Sequence, residues 1–181
     1  MNKIICYGDS NTYGWDPSNL WGTPYRFPWP TVLANGLGVE TVNMGEPGRC
    51  IPVSCGMDNL NALLEKHAPV DLVIVMLGTN DILNAMGAGI SRIVDRMDQL
   101  LVNLSGQNVL LIEIPPATTG NGMIDEAVPR VNEEFKKLAQ LRNVRFLSLE
   151  GVNIPLAFDG IHLTEVAHAN LANHIISAIK E

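Results

Sequence analysis

Basic residues are scarce in this chain. Twelve Lys and Arg stand against nineteen Asp and Glu, a formal charge of −7, and the few cations form no cluster. A nucleic-acid backbone would therefore find no electrostatic footprint. Long apolar runs are missing too: the longest, Leu72 to Leu77, falls far below the about 20 residues of a membrane-spanning helix and reads as a buried strand. Neither nucleic acid nor a membrane is an expected partner. Met1 leads straight into Lys3-Ile4-Ile5-Cys6-Tyr7, with no basic segment ahead of a longer apolar core, so a cytoplasmic location is expected. Cysteine is equally sparse, and in that compartment free thiols are the default. Cys6 reads as core; Cys50 and Cys55 could bridge a loop, but their spacing fits no common zinc pattern and no nearby His completes one. Two catalytic signatures are absent as well. Without H-E-x-x-H a zinc hydrolase is disfavoured, and without G-x-S-x-G the nucleophile elbow of the α/β-hydrolase fold is unsupported.

What is present is an alternation of short apolar runs with longer amphipathic ones, the pattern of βα units around a parallel sheet. The 181 residues, 46% hydrophobic, are expected to form a single domain over 1–181 with one substantial core. Strands are predicted at Lys3 to Tyr7, Glu40 to Asn43, Asp71 to Leu77, Asn108 to Ile114 and Val144 to Leu149. Helices are predicted at Pro30 to Leu37, Met57 to His67, Gly89 to Leu104, Ile124 to Leu141 and Thr164 to Lys180. In the last of these Ala167, Leu171, Ile175 and Ile179 recur every fourth residue, giving one face that can pack on a sheet. Right-handed crossovers around five such strands make an α/β/α three-layer architecture the economical solution. The order 2-1-3-4-5 of flavodoxin-like folds is the expectation at the level of fold, because periodicity does not reveal which strands are neighbours.

Three short strings carry the residues of acyl-transfer chemistry: Gly8-Asp9-Ser10-Asn11, Gly78-Thr79-Asn80-Asp81 and Asp159-Gly160-Ile161-His162. Each lies beside a strand or helix pattern, where a parallel sheet presents its loops on one edge. Asp159 can accept the Nδ1 proton of His162 and leave Nε2 as a base for Ser10, whose hydroxyl is a poor nucleophile until its proton is removed. Asn80 could donate its carboxamide to an oxyanion, and Gly45 a backbone N–H. Each residue also has a plainer reading. Ser10 fits a turn or N-cap, Asn80 an Asx turn, Gly45 an ordinary turn, and the Asp/His pair a helix cap. His67, His168 and His174 sit on helical patterns and read as surface or packing residues.

Taken in order, Gly8-Asp9-Ser10, Asn43-Met44-Gly45, Gly78-Thr79-Asn80-Asp81 and Asp159-Gly160-Ile161-His162 resemble the blocks of the SGNH hydrolases, also called GDSL esterases and lipases, from residue 4 to about residue 171. The resemblance implies a flavodoxin-like fold. It implies Ser10 as nucleophile, His162 as base and then acid, Asp159 as its orienter, and an oxyanion hole of Ser10, Gly45 and Asn80. Asn11 stands where the common family form has leucine. Gly8 to Trp15, Trp29 to Leu37 and Asp71 to Asp81 look like the arylesterase and acyltransferase branch, whose multimeric members make a homo-oligomer an expectation. This chain is shorter than that branch after the second block and after Pro115-Pro116.

Aromatic residues concentrate just after the nucleophile: Tyr13, Trp15, Trp21, Tyr25, Phe27 and Trp29, interleaved with Pro17, Pro24, Pro28 and Pro30. The segment is expected either to wall an acyl or alcohol pocket or simply to pack over the sheet. Asp9, Asn11, Trp15, Trp29 and Ile161 are the candidate substrate contacts. The expected substrate is a small-molecule ester of acetate or another short acyl group, and the chemistry needs no metal or organic cofactor. Three alternatives stand beside hydrolysis of simple esters: acyl transfer to an alcohol or peroxide, O-deacetylation of a carbohydrate, and non-catalytic binding of a small ligand.

Overall fold

A computed structural model describes residues 1–19 and 21–180. Five parallel strands, β1 (Lys3–Gly8), β2 (Glu40–Gly45), β3 (Leu72–Met76), β4 (Val109–Ile112) and β5 (Arg145–Leu147), pair in the order β2-β1-β3-β4-β5. Between and after them run α1 (Ser10–Tyr13), α2 (Trp29–Leu37), α3 (Cys55–His67), α4 (Thr79–Asn84), α5 (Ile90–Asn103), α6 (Gly122–Arg142) and α7 (Glu165–Lys180). This is the architecture and strand order that the alternating pattern and the resemblance imply. Every residue of β3 is buried, which is why its sequence is a continuous Leu-Val-Ile-Val-Met run rather than an apolar and polar alternation.

The two faces of the sheet follow from the two-residue period of a strand. Ile5, Tyr7, Val73, Val75 and Leu111 turn to the side covered by α3, α5 and α6, where they meet Leu60, Met97 and Phe135. Ile4, Cys6, Ile74, Leu110 and Ile112 turn to the other side, where Trp29 and Leu33 of α2 and Ala167, Leu171 and Ile175 of α7 close the layer. Trp29, expected among the substrate contacts, is 0% exposed and belongs to this second core. Its place at the start of α2, between two prolines that favour the first helical turn, turns the indole inward.

The register places the site. Gly8 lies level with Gly45 of β2 and with Met76 of β3. The segments that follow these three strands therefore emerge together at the carboxyl edge of the sheet. Two of them begin short helices where the sequence pattern suggested loops: α1 has four residues and α4 six, too few to display a helical period. The α6 helix continues through Pro129. All three cysteines are free, with Cys6 buried in the core. Among the described residues no helix is long and apolar enough to cross a membrane.

Candidate active site

At the end of β1 the chain turns into α1. The Asp9 carboxylate caps the new helix by accepting the Asn11 N–H at 2.9 Å, and Ser10 is its first residue. From the other end of the chain His162 brings Nε2 to 3.1 Å from the Ser10 Oγ, while its Nδ1 lies 2.5 Å from Asp159 Oδ2. The second carboxylate oxygen accepts the Ile161 and His162 N–H groups, both at 3.0 Å. Burial opposes a charge on Asp159, but the hydrogen bonds from His162 and the two amides outweigh it and hold the carboxyl below its usual range. Gly160, at φ 70°, allows the tight turn, and a Cβ there would stand 2.2 Å from the Thr118 oxygen.

Asn11 and Asp9 lie buried behind the Ser10 and His162 side chains rather than in front of them. Asn11 is 2% exposed; its Oδ1 accepts the Leu163 N–H at 2.9 Å and its Nδ2 donates to the Ile161 oxygen at 3.2 Å. It thus grips the residues on both sides of His162 and is shut away from solvent. Asp9 is equally buried, and loss of hydration pushes its carboxyl up to about 6, against the Asn11 N–H, His162 and the Thr79 hydroxyl, which favour the charge. Of the expected substrate contacts, Trp15 and Ile161 remain partly exposed beside the histidine. The Trp15 and His162 ring centroids are 6.3 Å apart.

The elevated Asp9 value has a consequence for stability. A carboxyl whose folded value is raised contributes stability that is complete below its unfolded value, near pH 4, and is lost as the pH rises through about 6. Asp9→Asn keeps an acceptor for the cap and removes the charge. The variant is expected to match the wild type in urea unfolding at pH 4 and to exceed it at pH 8 by about 3 kcal/mol.

At one position the structure departs from the expected set of oxyanion donors. The Gly45 N–H donates to Asn43 Oδ1 at 2.8 Å and so is already engaged. A side chain at Gly45 would place its Cβ 2.0 Å from the Tyr13 nitrogen, so this glycine seats the end of β2 against α1. Two and three residues on, Pro47 and Gly48 fill the centre of a turn closed by the Arg49 N–H on the Glu46 oxygen at 3.1 Å, with Gly48 at φ 79° as a type II turn requires. Among the described residues the Gly48 N–H has no protein acceptor. Asn80 donates one Nδ2 hydrogen to the Arg49 oxygen at 3.0 Å, which ties α4 to this turn and leaves the second hydrogen available. The Ser10 N–H, in the first turn of α1, has no partner within its helix. Pro47-Gly48 is the sequence signal that could have distinguished the two glycines.

The sequence reading also passed over what fixes Asn80. Its neighbour Asp81 is buried, accepts the Ile51 N–H at 2.9 Å and pairs with Arg96 of α5 at 2.9 Å. The remaining histidines have other duties: His168 is buried and accepts the Trp29 N–H on Nδ1 at 3.3 Å, and His174 bonds the Ser148 oxygen at 2.8 Å. Among the described residues no three His, Cys, Asp or Glu side chains are grouped to hold a metal. A cavity of about 730 Å³ beyond β4 and β5, lined by Glu113, Pro116, Phe146 and Ile154 among others, shares none of its walls with Ser10, Asn80, Asp159 or His162. Hydrogen-bond geometry, not cavity size, marks the site.

The profile of the GDSL-like lipase/acylhydrolase family matches residues 6–169. Among solved structures, the chain is similar to Est24, a carbohydrate acetylesterase from Sinorhizobium meliloti, with 26% identity, a TM-score of 0.85 and 99% of each chain covered. It is also similar to the native aryl esterase of M. smegmatis, with 25% identity, a TM-score of 0.86 and 99% of each chain covered. No match was found among curated protein sequences.

Proposed function

This chain belongs to the GDSL-like lipase/acylhydrolase family and is an ester hydrolase, and on that premise we propose that it cleaves small acyl esters, acetyl esters foremost, through a Ser10-His162-Asp159 triad. The observation that carries this reading is the unbroken line from Ser10 Oγ to His162 Nε2 at 3.1 Å and from Nδ1 to Asp159 at 2.5 Å. His162 takes the Ser10 proton on Nε2 as the hydroxyl attacks the acyl carbonyl, and Asp159 holds the tautomer that makes this possible. Negative charge developing on the carbonyl oxygen is received by the N–H groups of Ser10 and Gly48 and by the free Nδ2 hydrogen of Asn80. His162 then protonates the leaving alcohol, and a water activated by the same nitrogen resolves the acyl-enzyme. Trp15 and Ile161, partly exposed beside His162, border the alcohol.

Likeness to a carbohydrate acetylesterase supports a second reading, O-deacetylation of sugars, which uses the same residues. Rates on p-nitrophenyl acetate, butyrate and octanoate, alongside acetate release from acetylated monosaccharides, separate the two. The expected result is a fall from acetate to octanoate, with diethyl p-nitrophenyl phosphate adding one phosphoryl group at Ser10 by mass spectrometry. Equal background rates on all esters, with no adduct, would overturn the proposal.

A further inference from the structure

One cation in this acidic chain is placed as few surface arginines are. The Arg49 side chain is only 16% exposed, and its guanidinium lies over the Tyr7 ring, 4.4 Å from the centroid. Nη1 donates to the Gly8 oxygen at 2.8 Å and to the Met44 oxygen, and Nη2 donates to the Glu46 carboxylate at 2.5 Å. Burying a charge is costly unless it is paired and hydrogen-bonded. Here the planar fork finds two carbonyls and a carboxylate at once, which a lysine could not match.

What those partners have in common is position. The Gly8 oxygen belongs to the last residue of β1, two before the nucleophile, and the same oxygen accepts the Glu46 N–H at 3.1 Å. The Met44 oxygen lies at the end of β2. The Arg49 backbone completes the set: its N–H closes the turn that displays Gly48, and its oxygen takes the Asn80 carboxamide from beyond β3. A single residue therefore touches each of the three segments that supply an oxyanion donor.

We propose that Arg49 is a positioning residue of the oxyanion hole: its side chain sets the spacing between the nucleophile's strand and the Gly48 turn, and its carbonyl aims Asn80. The inference rests on the acyl-transfer reading above. Arg49 touches no reacting atom in this scheme, so its removal should disturb donors needed in the transition state more than the binding of the ester. A displacement of about 1 Å in such donors is enough for an effect of about 100-fold.

The test compares Arg49→Ala and Arg49→Lys with the wild type on p-nitrophenyl acetate, counting active sites by the phosphorylated fraction and checking folding by thermal melts. Arg49→Ala is expected to lower kcat about 100-fold with KM within about twofold, and millimolar guanidinium to restore part of the loss. Arg49→Lys keeps the charge but not the fork, and should recover less than a tenth of the wild-type rate. Arg49→Ala keeps the carbonyl that holds Asn80, but the turn released by the lost side chain carries that carbonyl with it, so part of the loss runs through Asn80 and Arg49→Ala should cost less in an Asn80→Ala background than it does alone. Unchanged kcat in a folded Arg49→Ala, a rise in KM alone, or full additivity with Asn80→Ala would overturn the proposal; if Arg49→Ala does not fold, Arg49→Lys decides by the same kcat and KM criteria. Loss of the underlying reading would look different: the wild type itself would show no Ser10-dependent turnover.

Discussion

His162→Ala is expected to lower kcat on p-nitrophenyl acetate about 10⁶-fold, and adding Ser10→Ala to it is expected to lower the rate no further. In the proposed mechanism the two side chains perform one act. At 3.1 Å the Ser10 hydroxyl is within direct reach of Nε2, so attack and proton transfer occur in the same transition state, and a serine without its base is nearly inert. The residual rate over water belongs to the oxyanion donors and to substrate placement, which both variants keep. Steady-state rates corrected for spontaneous hydrolysis check this, with imidazole added to the His162→Ala protein as a control for a vacated base site. A residual activity above about one per cent would mean that another group takes the Ser10 proton.

That the site assembles at all depends on contacts the linear pattern cannot display. The strands were legible because β1 and β3 are buried on both faces, and a buried parallel strand must be written in apolar residues throughout. The face of α7 was legible for a similar reason, through Ala167, Leu171 and Ile175. The strand order came from fold-level expectation and from the resemblance. The residues proposed as a triad were recognisable because they stand in ordered blocks, yet the contact between Ser10 and His162 joins residues 152 apart in sequence.

The misplaced residues share a physical theme. Asn11 and Asp9 are polar neighbours of Ser10, but the partners of Asn11, the Leu163 N–H and the Ile161 oxygen, exist only after the last loop docks on the first, while the Asp9 carboxylate is taken up locally by the α1 cap. Gly45 and Gly48 look alike in Gly45-Glu46-Pro47-Gly48, but one is consumed by close approach to Tyr13 and an Asn43 bond, the other left open by the turn. Trp29 lies at the end of an aromatic segment whose other members diverge: Trp21 is 94% exposed while Trp29 is sealed in the core. Which side of a loop meets solvent is decided by the elements packed beneath it.

Asp159→Asn is expected to cost about 10⁴-fold in kcat at pH 7 while leaving the fold nearly unchanged. The asparagine can keep an oxygen where Asp159 Oδ1 accepts the Ile161 and His162 N–H groups, so the loop stays anchored. Its NH₂ then faces Nδ1 in place of the acceptor that stood 2.5 Å away. The imidazole responds by presenting the Nδ1 lone pair and moving its proton to Nε2, which now points a donor at Ser10 and can no longer act as base. Asp159→Ala tests the other half of the role. It removes the acceptor of both amides as well, and should add a loss of about 1–3 kcal/mol in urea unfolding to a comparable loss in rate. The pH dependence has a definite sign: because the folded carboxyl is held below its usual range, its stabilising contribution is complete above the ordinary Asp value and fades only as the pH falls through the lower folded value. The stability gap between wild type and Asp159→Ala should therefore narrow as the pH falls into the acid range. Near wild-type turnover by Asp159→Asn would leave Ser10 and His162 as a self-sufficient dyad, with Asp159 reduced to a loop anchor.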